Sequence, residues 1–385
     1  MVCIKRESES MNFSNSEDKQ VQYMELIYDL IFVYMIGRNN ALLNNFENGF
    51  VSPESFCAYA LSALAIIQIW NFSTFYINMF GRNGIRDHVF LFINMYLIYF
   101  IGEATRSDWE PYQAQYHIAW GLILLNIGIQ YLVELRNHKM DVWNRDIIKR
   151  MAITLFVEAI IVFIAVFLTP IAMSLVSLCA IITGVIMTAL GKHKSPGGQV
   201  DFAHLTERAM LFVVLTFGEM IITVASYFVG GGTLDLNVIY YSLMTFIIVT
   251  GLFLSYEVLY EHIIDRQKND NGMLYILIHI FVIFALNNIT MALEFMREEE
   301  IYLLPKILFL VLSVVGYYIF LFCLGAYSKK KYSTNHKFIA SLVLITVLFI
   351  ILMVILREMM ALNIFITALY VYTIYATLIK AKRKS

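Results

Sequence analysis

The sequence predicts an all-α protein that spans a membrane with about twelve helices. Hydrophobic residues make up 59% of the 385-residue chain and charged residues only 15%, whereas a typical globular domain has about 25% charged residues. The apolar residues fall in runs of about 20, the length that a helix needs to cross about 30 Å of hydrocarbon. The mean hydropathy of +0.69 agrees with this class. We therefore expect a helical membrane protein with no separate soluble domain.

Both chain ends are expected to be short cytoplasmic tails. Residues 1–20 are too polar for the apolar core of a signal peptide, so we predict a disordered tail there, and residues 381–385 form a basic tail. The cysteines lie far apart, with no spacing typical of a zinc site or a disulfide framework. We expect no metal and no cofactor. The net charge of −1, with basic residues scattered over short loops, also predicts no nucleic-acid partner.

Apolar runs between charged or Pro/Gly-rich breaks predict twelve spans. Two runs are too long for one tilted helix, and each is interpreted as a tight helical hairpin, one broken at Thr169 and Pro170 and the other at Arg357 and Glu358. The predicted spans are 21–43, 55–80, 88–105, 115–135, 150–169, 171–190, 205–229, 236–262, 273–294, 302–327, 336–357 and 359–380.

The distribution of lysine and arginine predicts the orientation of these spans. Basic residues are retained on the cytoplasmic side of a membrane. With the N-terminus inside, the outer loops carry only Arg106, Arg297, Lys306 and Arg357, and most other Lys and Arg residues fall on the cytoplasmic side. The pattern predicts a multi-pass protein of the cell membrane with both termini in the cytoplasm.

The twelve spans divide into two sets of six. A cytoplasmic loop, 191–204, separates a first half, 21–190, from a second half, 205–380. The first span of each half carries an acid one turn inside its cytoplasmic end, Glu25 in one and Glu207 in the other. We therefore predict a six-plus-six parallel repeat, related by an axis along the membrane normal.

Three stretches resemble motifs of the bacterial low temperature requirement A family. Glu25-Leu-Ile-Tyr-Asp-Leu-Ile-Phe-Val is similar to the opening motif of that family. The segment from Trp70 to Phe80, with Thr74, Tyr76 and Asn78, resembles its Trp-rich segment. His204-Leu-Thr-Glu207-Arg208, followed by Phe217-Gly218-Glu219, resembles its His-x-x-Glu-Arg and Leu-Gly-Glu pair.

The chain departs from the family pattern at two positions, where Met79 replaces an expected arginine and Gly81 an expected acid. The resemblance implies a polytopic membrane protein and is compatible with a transporter. It names no substrate, because the family name describes a cold-growth phenotype.

Several polar residues are expected to meet in the cytoplasmic half of the membrane. Glu25 and Asp29 are four residues apart and so share one face of a helix. By depth along their spans, His279, Arg208 and Asn78 lie nearby. Intramembrane acids are typical of proton or cation pathways. The alternatives are a structural salt bridge from these acids to Arg208 or Arg38, and a hydrogen-bonded contact between helices.

Other candidates lie nearer the middle of the membrane or next to the motifs. Glu219, which follows Gly218, is the candidate coupling or substrate-binding acid; the alternative is a hydrogen bond to Asn287 or Asn288. His279 is a candidate proton carrier or a satisfied interhelical partner. Trp70 and Tyr76 are candidate pocket walls. The predicted pathway residues are thus Glu25, Asp29, Trp70, Tyr76, Asn78, Glu207, Arg208, Glu219 and His279, and Glu103 and Glu158 are secondary candidates.

Three functions are compatible with these patterns. The first is a secondary transporter of a small solute or ion, coupled to protons or cations. The second is a membrane-embedded enzyme or lipid-handling protein at the cytoplasmic leaflet, with Glu25, Asp29, His204, Glu207 and His279 as an acid/base or metal site. The third is a sensor or channel. The sequence gives this interpretation little support, because it has no Arg-rich voltage helix and no filter-like loop.

Overall fold

A computed structural model describes residues 20–106, 108–136, 142–190, 200–226, 235–268, 270–330 and 336–383. The predicted disordered tail, apart from Gln20, and most of the predicted loop 191–204 lie outside the described residues. Twelve α-helices account for nearly all of the described chain, which confirms the all-helical prediction. They are α1 Tyr23–Asn39, α2 Pro53–Phe80, α3 Ile85–Ala104, α4 Gln113–Glu134, α5 Val142–Ala165, α6 Pro170–Leu190, α7 Phe202–Ser226, α8 Leu236–Val258, α9 Met273–Phe295, α10 Leu303–Cys323, α11 His336–Ile355 and α12 Met360–Arg383.

Each predicted span coincides with one of these helices. The two tight hairpins are also present, because residues 166–169 join α5 to α6 and residues 356–359 join α11 to α12. The largest difference is at α5, which begins at Val142 rather than near residue 150. Its first turns are polar, and Arg150 pairs there with Asp146 one turn earlier, an arrangement that stabilises a helix outside the apolar run.

Among the described residues, nine helices are long and apolar enough to span a membrane. The other three are α1, α5 and α7. These three carry charged side chains within their apolar stretches: Glu25 and Asp29 on α1, Glu158 on α5 and Arg208 on α7. The protein is therefore a multi-pass helical membrane protein, and the count of twelve spans stays a prediction.

The helices pack in two sequential groups. In the first group the neighbouring pairs are α1 with α2, α1 with α3, α2 with α4, α2 with α6, α3 with α4, α4 with α5 and α5 with α6. In the second they are α7 with α8, α7 with α9, α8 with α12, α9 with α10, α10 with α11 and α11 with α12. The groups meet where α1 and α2 pack against α7 and α9, and we call this contact the seam.

Glycines bring α4 and α5 close together. A Cβ atom at Gly121 would lie 2.6 Å from the ring of Phe163, and one at Gly128 would lie 2.8 Å from the ring of Phe156. The two glycines are seven residues apart on α4, and the two phenylalanines are seven residues apart on α5. Each ring therefore packs against one glycine, two helical turns from the other pair. Small residues of this kind allow close approach of helices in membranes, where packing is a main source of association free energy.

A β-hairpin between α1 and α2 closes one end of the seam. Strands β1 Phe46–Glu47 and β2 Phe50–Val51 are joined by Asn48 and Gly49, which both have positive φ values of 51° and 78°. An Asn-Gly pair suits such a turn. The carbonyl of Gly49 accepts a 2.8 Å hydrogen bond from the N–H of Tyr302, before α10. The hairpin thus attaches the first half to the second.

Candidate functional site

The candidate site is a buried cluster of charged side chains in the seam. It lies toward the end of the bundle that holds the α2–α3 turn. On α1, Glu25 and Asp29 are 3% and 0% exposed, and they face the bundle together with Tyr28 and Phe32. The opposite face of α1 presents Tyr23, Ile27, Leu30 and Tyr34 outward. The four-residue spacing therefore aims both carboxylates at the second half.

Arg208 on α7 binds both carboxylates and is itself fully buried. Its Nη2 and Nε lie 2.9 Å and 3.3 Å from the two carboxylate oxygens of Asp29. Its Nη1 lies 3.3 Å from Glu25 Oε2. The planar guanidinium thus meets Asp29 with two parallel N–H donors, a geometry that lysine cannot reproduce. This ion pair joins α1 of the first half to α7 of the second.

Trp70 on α2 completes the environment of Asp29. The indole Nε1–H donates a 2.7 Å hydrogen bond to Asp29 Oδ1. The indole ring stacks on Phe212, one turn after Arg208, with ring centroids 4.3 Å apart and planes tilted by 11°. The guanidinium carbon of Arg208 is 5.9 Å from the indole centroid, within reach of a cation–π attraction. Trp70 therefore binds Asp29 through the N–H at the edge of its ring and packs against Phe212 of α7 with the face of its ring.

The hydrogen bond from Trp70 is expected to contribute measurably to stability. We predict that Trp70→Phe lowers the free energy of unfolding by about 1–3 kcal/mol more than Trp120→Phe does, because a buried carboxylate loses a donor. Trp120 is a matched control, since it is equally buried but its Nε1 has no hydrogen-bond partner among the described residues. Thermal unfolding of the purified variants in detergent measures the difference. Equal losses would mean that the indole acts only through packing.

His204 and Asn78 lie at the edge of the cluster that is nearer to the α2–α3 turn. The Asn78 amide accepts from the N–H of Asp201 at 3.1 Å and donates to the carbonyl of Asp201 at 2.8 Å, which fixes its orientation. The same amide nitrogen lies 3.0 Å from His204 Nδ1, which must accept. The imidazole hydrogen therefore sits on Nε2, and this atom is 3.5 Å from Glu25 Oε2.

Tyr76 belongs to a second polar group at the α2–α3 turn. Its hydroxyl lies 3.3 Å from Asp87 and 3.2 Å from Arg86. Buried Glu134, in the last turn of α4, binds Arg82 at 2.7 Å and Arg86 at 2.6 Å. Sequence reasoning missed this group. A signal was available, because an acid in the last turn of a helix is unfavourable to the helix dipole unless a cation lies nearby.

The structure does not bring Glu219 to Asn287 or Asn288. The Asn287 amide donates to the hydroxyl of Tyr59 at 2.9 Å, and that hydroxyl donates to Asn288 at 2.6 Å, across the seam. Glu219 is half-buried and lies against Gly37 of α1, where a Cβ would meet its carboxylate. A Cβ at Gly218 would meet open space, so no described neighbour approaches closely at that glycine.

His279 and Glu207 make no hydrogen bond or ion pair with the cluster within the part of the chain that the structure describes. The His279 ring nitrogens are engaged by the Tyr256 hydroxyl at 3.0 Å and the Tyr275 carbonyl at 2.8 Å, both within the second half. Glu207 is half-buried on α7, within electrostatic reach of Tyr260. Among the described residues, no group of three His, Cys, Asp or Glu side chains could hold a metal ion. The acid/base or metal constellation considered above is therefore not assembled as a unit.

Of the predicted pathway residues, the structure joins Glu25, Asp29, Trp70, Asn78 and Arg208 and adds His204. These residues come from the three stretches that carry the family motifs. The family model described as bacterial low temperature requirement A protein matches residues 20–374, nearly the whole chain. No curated protein and no solved structure matches the chain significantly. The chain belongs to the bacterial low temperature requirement A family.

Proposed function

We propose that this protein is a secondary transporter, which moves a small solute or ion by motion of its two halves, 21–190 and 205–380, and couples that motion to protons or cations. The observation that carries the proposal is the Asp29–Arg208 ion pair, which is fully buried at 0% exposure on both sides and joins α1 to α7 across the seam. Buried charges are costly to keep for structure alone.

The ion pair offers a physical route from ion binding to movement. While Asp29 is ionised, its attraction to Arg208 holds the halves together at this end of the seam. A proton on Asp29 would remove that attraction, and a cation at the carboxylate would compete with Arg208. Either event favours a conformation in which α1 and α7 separate, which is the differential binding that a coupled conformational change requires.

The pattern of helix neighbours supports a six-plus-six parallel repeat. The pairs α1–α2, α1–α3, α2–α6, α3–α4, α4–α5 and α5–α6 each have a counterpart six helices later, from α7–α8 through α11–α12. Such repeats are common in secondary transporters, where substrate and ion sites lie between the halves. The distribution of Lys and Arg supports a place in the cell membrane with both termini in the cytoplasm.

Proton coupling can be tested in liposomes that contain a pH-sensitive dye. Amino acids, organic acids, sugars and inorganic cations are added one at a time to the reconstituted protein. We expect at least one of these classes to change the internal pH with the wild-type protein. We expect Asp29→Asn, which keeps the size of the side chain but loses its charge and one acceptor oxygen, to abolish the change, and Glu54→Gln, at an exposed position, to preserve it.

Proton coupling through Asp29 is wrong if no class in the panel changes the internal pH, or if Asp29→Asn and the wild-type protein give the same response. A solute that moves with no change of pH in either protein would contradict proton coupling while leaving transport standing.

A further inference from the structure

Glu158, on α5, is a second intramembrane acid whose surroundings differ from those of the seam cluster. It is fully buried, and neither carboxylate oxygen has a hydrogen-bond partner among the described residues. Its neighbours are Gln68 on α2 and Gly184 on α6, because a Cβ at Gly184 would overlap both side chains. The acid therefore sits inside the first half, between three helices.

No cation faces Glu158 from the helices packed around it. Within the described residues, α2 carries only one charged side chain, Glu54, near its far end, and α6 carries none. On α4, His117 is bonded to Ser177 and Glu134 to the two arginines of the α2–α3 turn. The nearest basic residue on α5 is Arg150, eight residues earlier and so about 12 Å along the helix.

An ionised carboxylate in this place would have neither a counter-charge nor a donor, which is the costliest state for a buried group. A carboxylic acid would instead be a donor. The polar atom of Gln68 beside Glu158 at Gly184 is Nε2, and it donates to the carbonyl of Ile181 at 3.1 Å. The structure gives it no hydrogen bond to either carboxylate oxygen of Glu158.

We propose that Glu158 is a proton-binding site within the first half, occupied at neutral pH, because it is a fully buried acid with no donor and no counter-charge among the described residues. A proton needs no room of its own, and the space between Glu158 and α6 is tight, because a methyl group at Gly184 would overlap Glu158 and Gln68. Among the described residues, no group of three His, Cys, Asp or Glu side chains gathers at Glu158 to hold a metal ion.

The site connects to the seam through α2. Gln68 and Trp70 are two residues apart, so at 100° per residue their side chains point about 160° away from each other, on nearly opposite faces of α2. Gln68 faces α6, whereas Trp70 binds Asp29. A shift of α2 against α6 would therefore disturb both acids at once. The proton site stands whether or not the protein transports; only this role in coupling rests on the proposed function.

Infrared spectroscopy of the full-length protein in liposomes at neutral pH tests the proposal directly. A protonated carboxylic acid has a C=O stretching band that an ionised carboxylate lacks. We expect the wild-type spectrum to contain a band of this type that is lost in Glu158→Gln and retained in Glu54→Gln. We expect Glu158→Gln to remain folded, with a melting temperature within about 3 °C of the wild-type value, because glutamine has the same shape as the protonated acid and is equally uncharged.

Three outcomes would overturn the proposal. The first is a carboxylic-acid region that is the same in the wild-type protein and in Glu158→Gln. The second is a Glu158→Gln variant that does not fold, because a neutral acid tolerates a neutral isostere. The third is a rise in wild-type melting temperature in sodium chloride over choline chloride that disappears in Glu158→Gln, since it would identify a metal ion as the ligand. None of these readouts depends on a transported solute, so they separate this proposal from the transporter proposal.

Discussion

Replacing Arg208 by methionine is expected to destabilise the protein more than any other single change at the seam. The substitution leaves Asp29 buried at 0% exposure with only the indole of Trp70 as a donor, and removes the guanidinium that also faces Glu25. Breaking a buried ion pair by removing one partner costs about 3–5 kcal/mol. We predict a loss of this size, measured as a lower melting temperature and a smaller monodisperse fraction in detergent.

A double substitution separates the ion pair from other effects of Arg208. Asp29→Asn in the Arg208→Met background removes the unpaired charge at Asp29, so the double variant is expected to be more stable than Arg208→Met alone. Arg208→Lys is expected to recover part of the loss only, because an ammonium cannot donate two parallel hydrogen bonds to Asp29. If Asp29→Asn lowers stability further in the methionine background, the two residues do not act as a pair.

The glycines of α4 are expected to give the second largest effect. We predict that the double variant Gly121→Ala/Gly128→Ala loses about 1–4 kcal/mol of unfolding free energy. Each methyl group would enter the ring of Phe163 or Phe156, an overpacking that costs about 1–3 kcal/mol per site. Alanine returns part of this loss, because it favours a helix over glycine by about 0.5–1 kcal/mol.

Gly218→Ala is the matched control, since a Cβ at Gly218 meets open space. The helix preference then acts alone, and we expect the melting temperature to rise rather than fall. Phe163→Leu, added to Gly121→Ala, should recover stability by making room for the methyl group. A fall in melting temperature for Gly218→Ala equal to that for Gly121→Ala would show that glycine is required for reasons other than ring packing.

The helices could be predicted from the sequence because each one coincides with an apolar run of about the length that crosses a membrane. The contacts between helices could not, since nothing local relates Asp29 to an arginine 179 positions later. Periodicity could have decided one question. Asn78 follows Trp70 by eight residues, or about 80° around the helix, so both face α7. Tyr76 lies about 120° from Trp70 in the opposite sense and turns toward the polar group at the α2–α3 turn. Treating Trp70 and Tyr76 as one pocket wall ignored this rotation.

Two further features escaped the sequence analysis for different reasons. The β-hairpin had a local signal, the pair Asn48-Gly49 between aromatic residues, which was hidden inside a loop of a membrane protein. The surroundings of Glu158 had no such signal, because its neighbours Gln68 and Gly184 come from distant helices. A lone acid in an apolar run gives no indication of whether a cation will face it, and only the packing of α2 and α6 supplies that answer.

The long sequence separation between Asp29 and Arg208 has a consequence for biosynthesis. A chain that is made at about 5–20 residues per second exposes α1 to the membrane about 10–40 s before Arg208 is synthesised. During that interval the two acids of α1 have no partner from α7. The ion pairs that fix α1 against the second half therefore form only after α7 has been made.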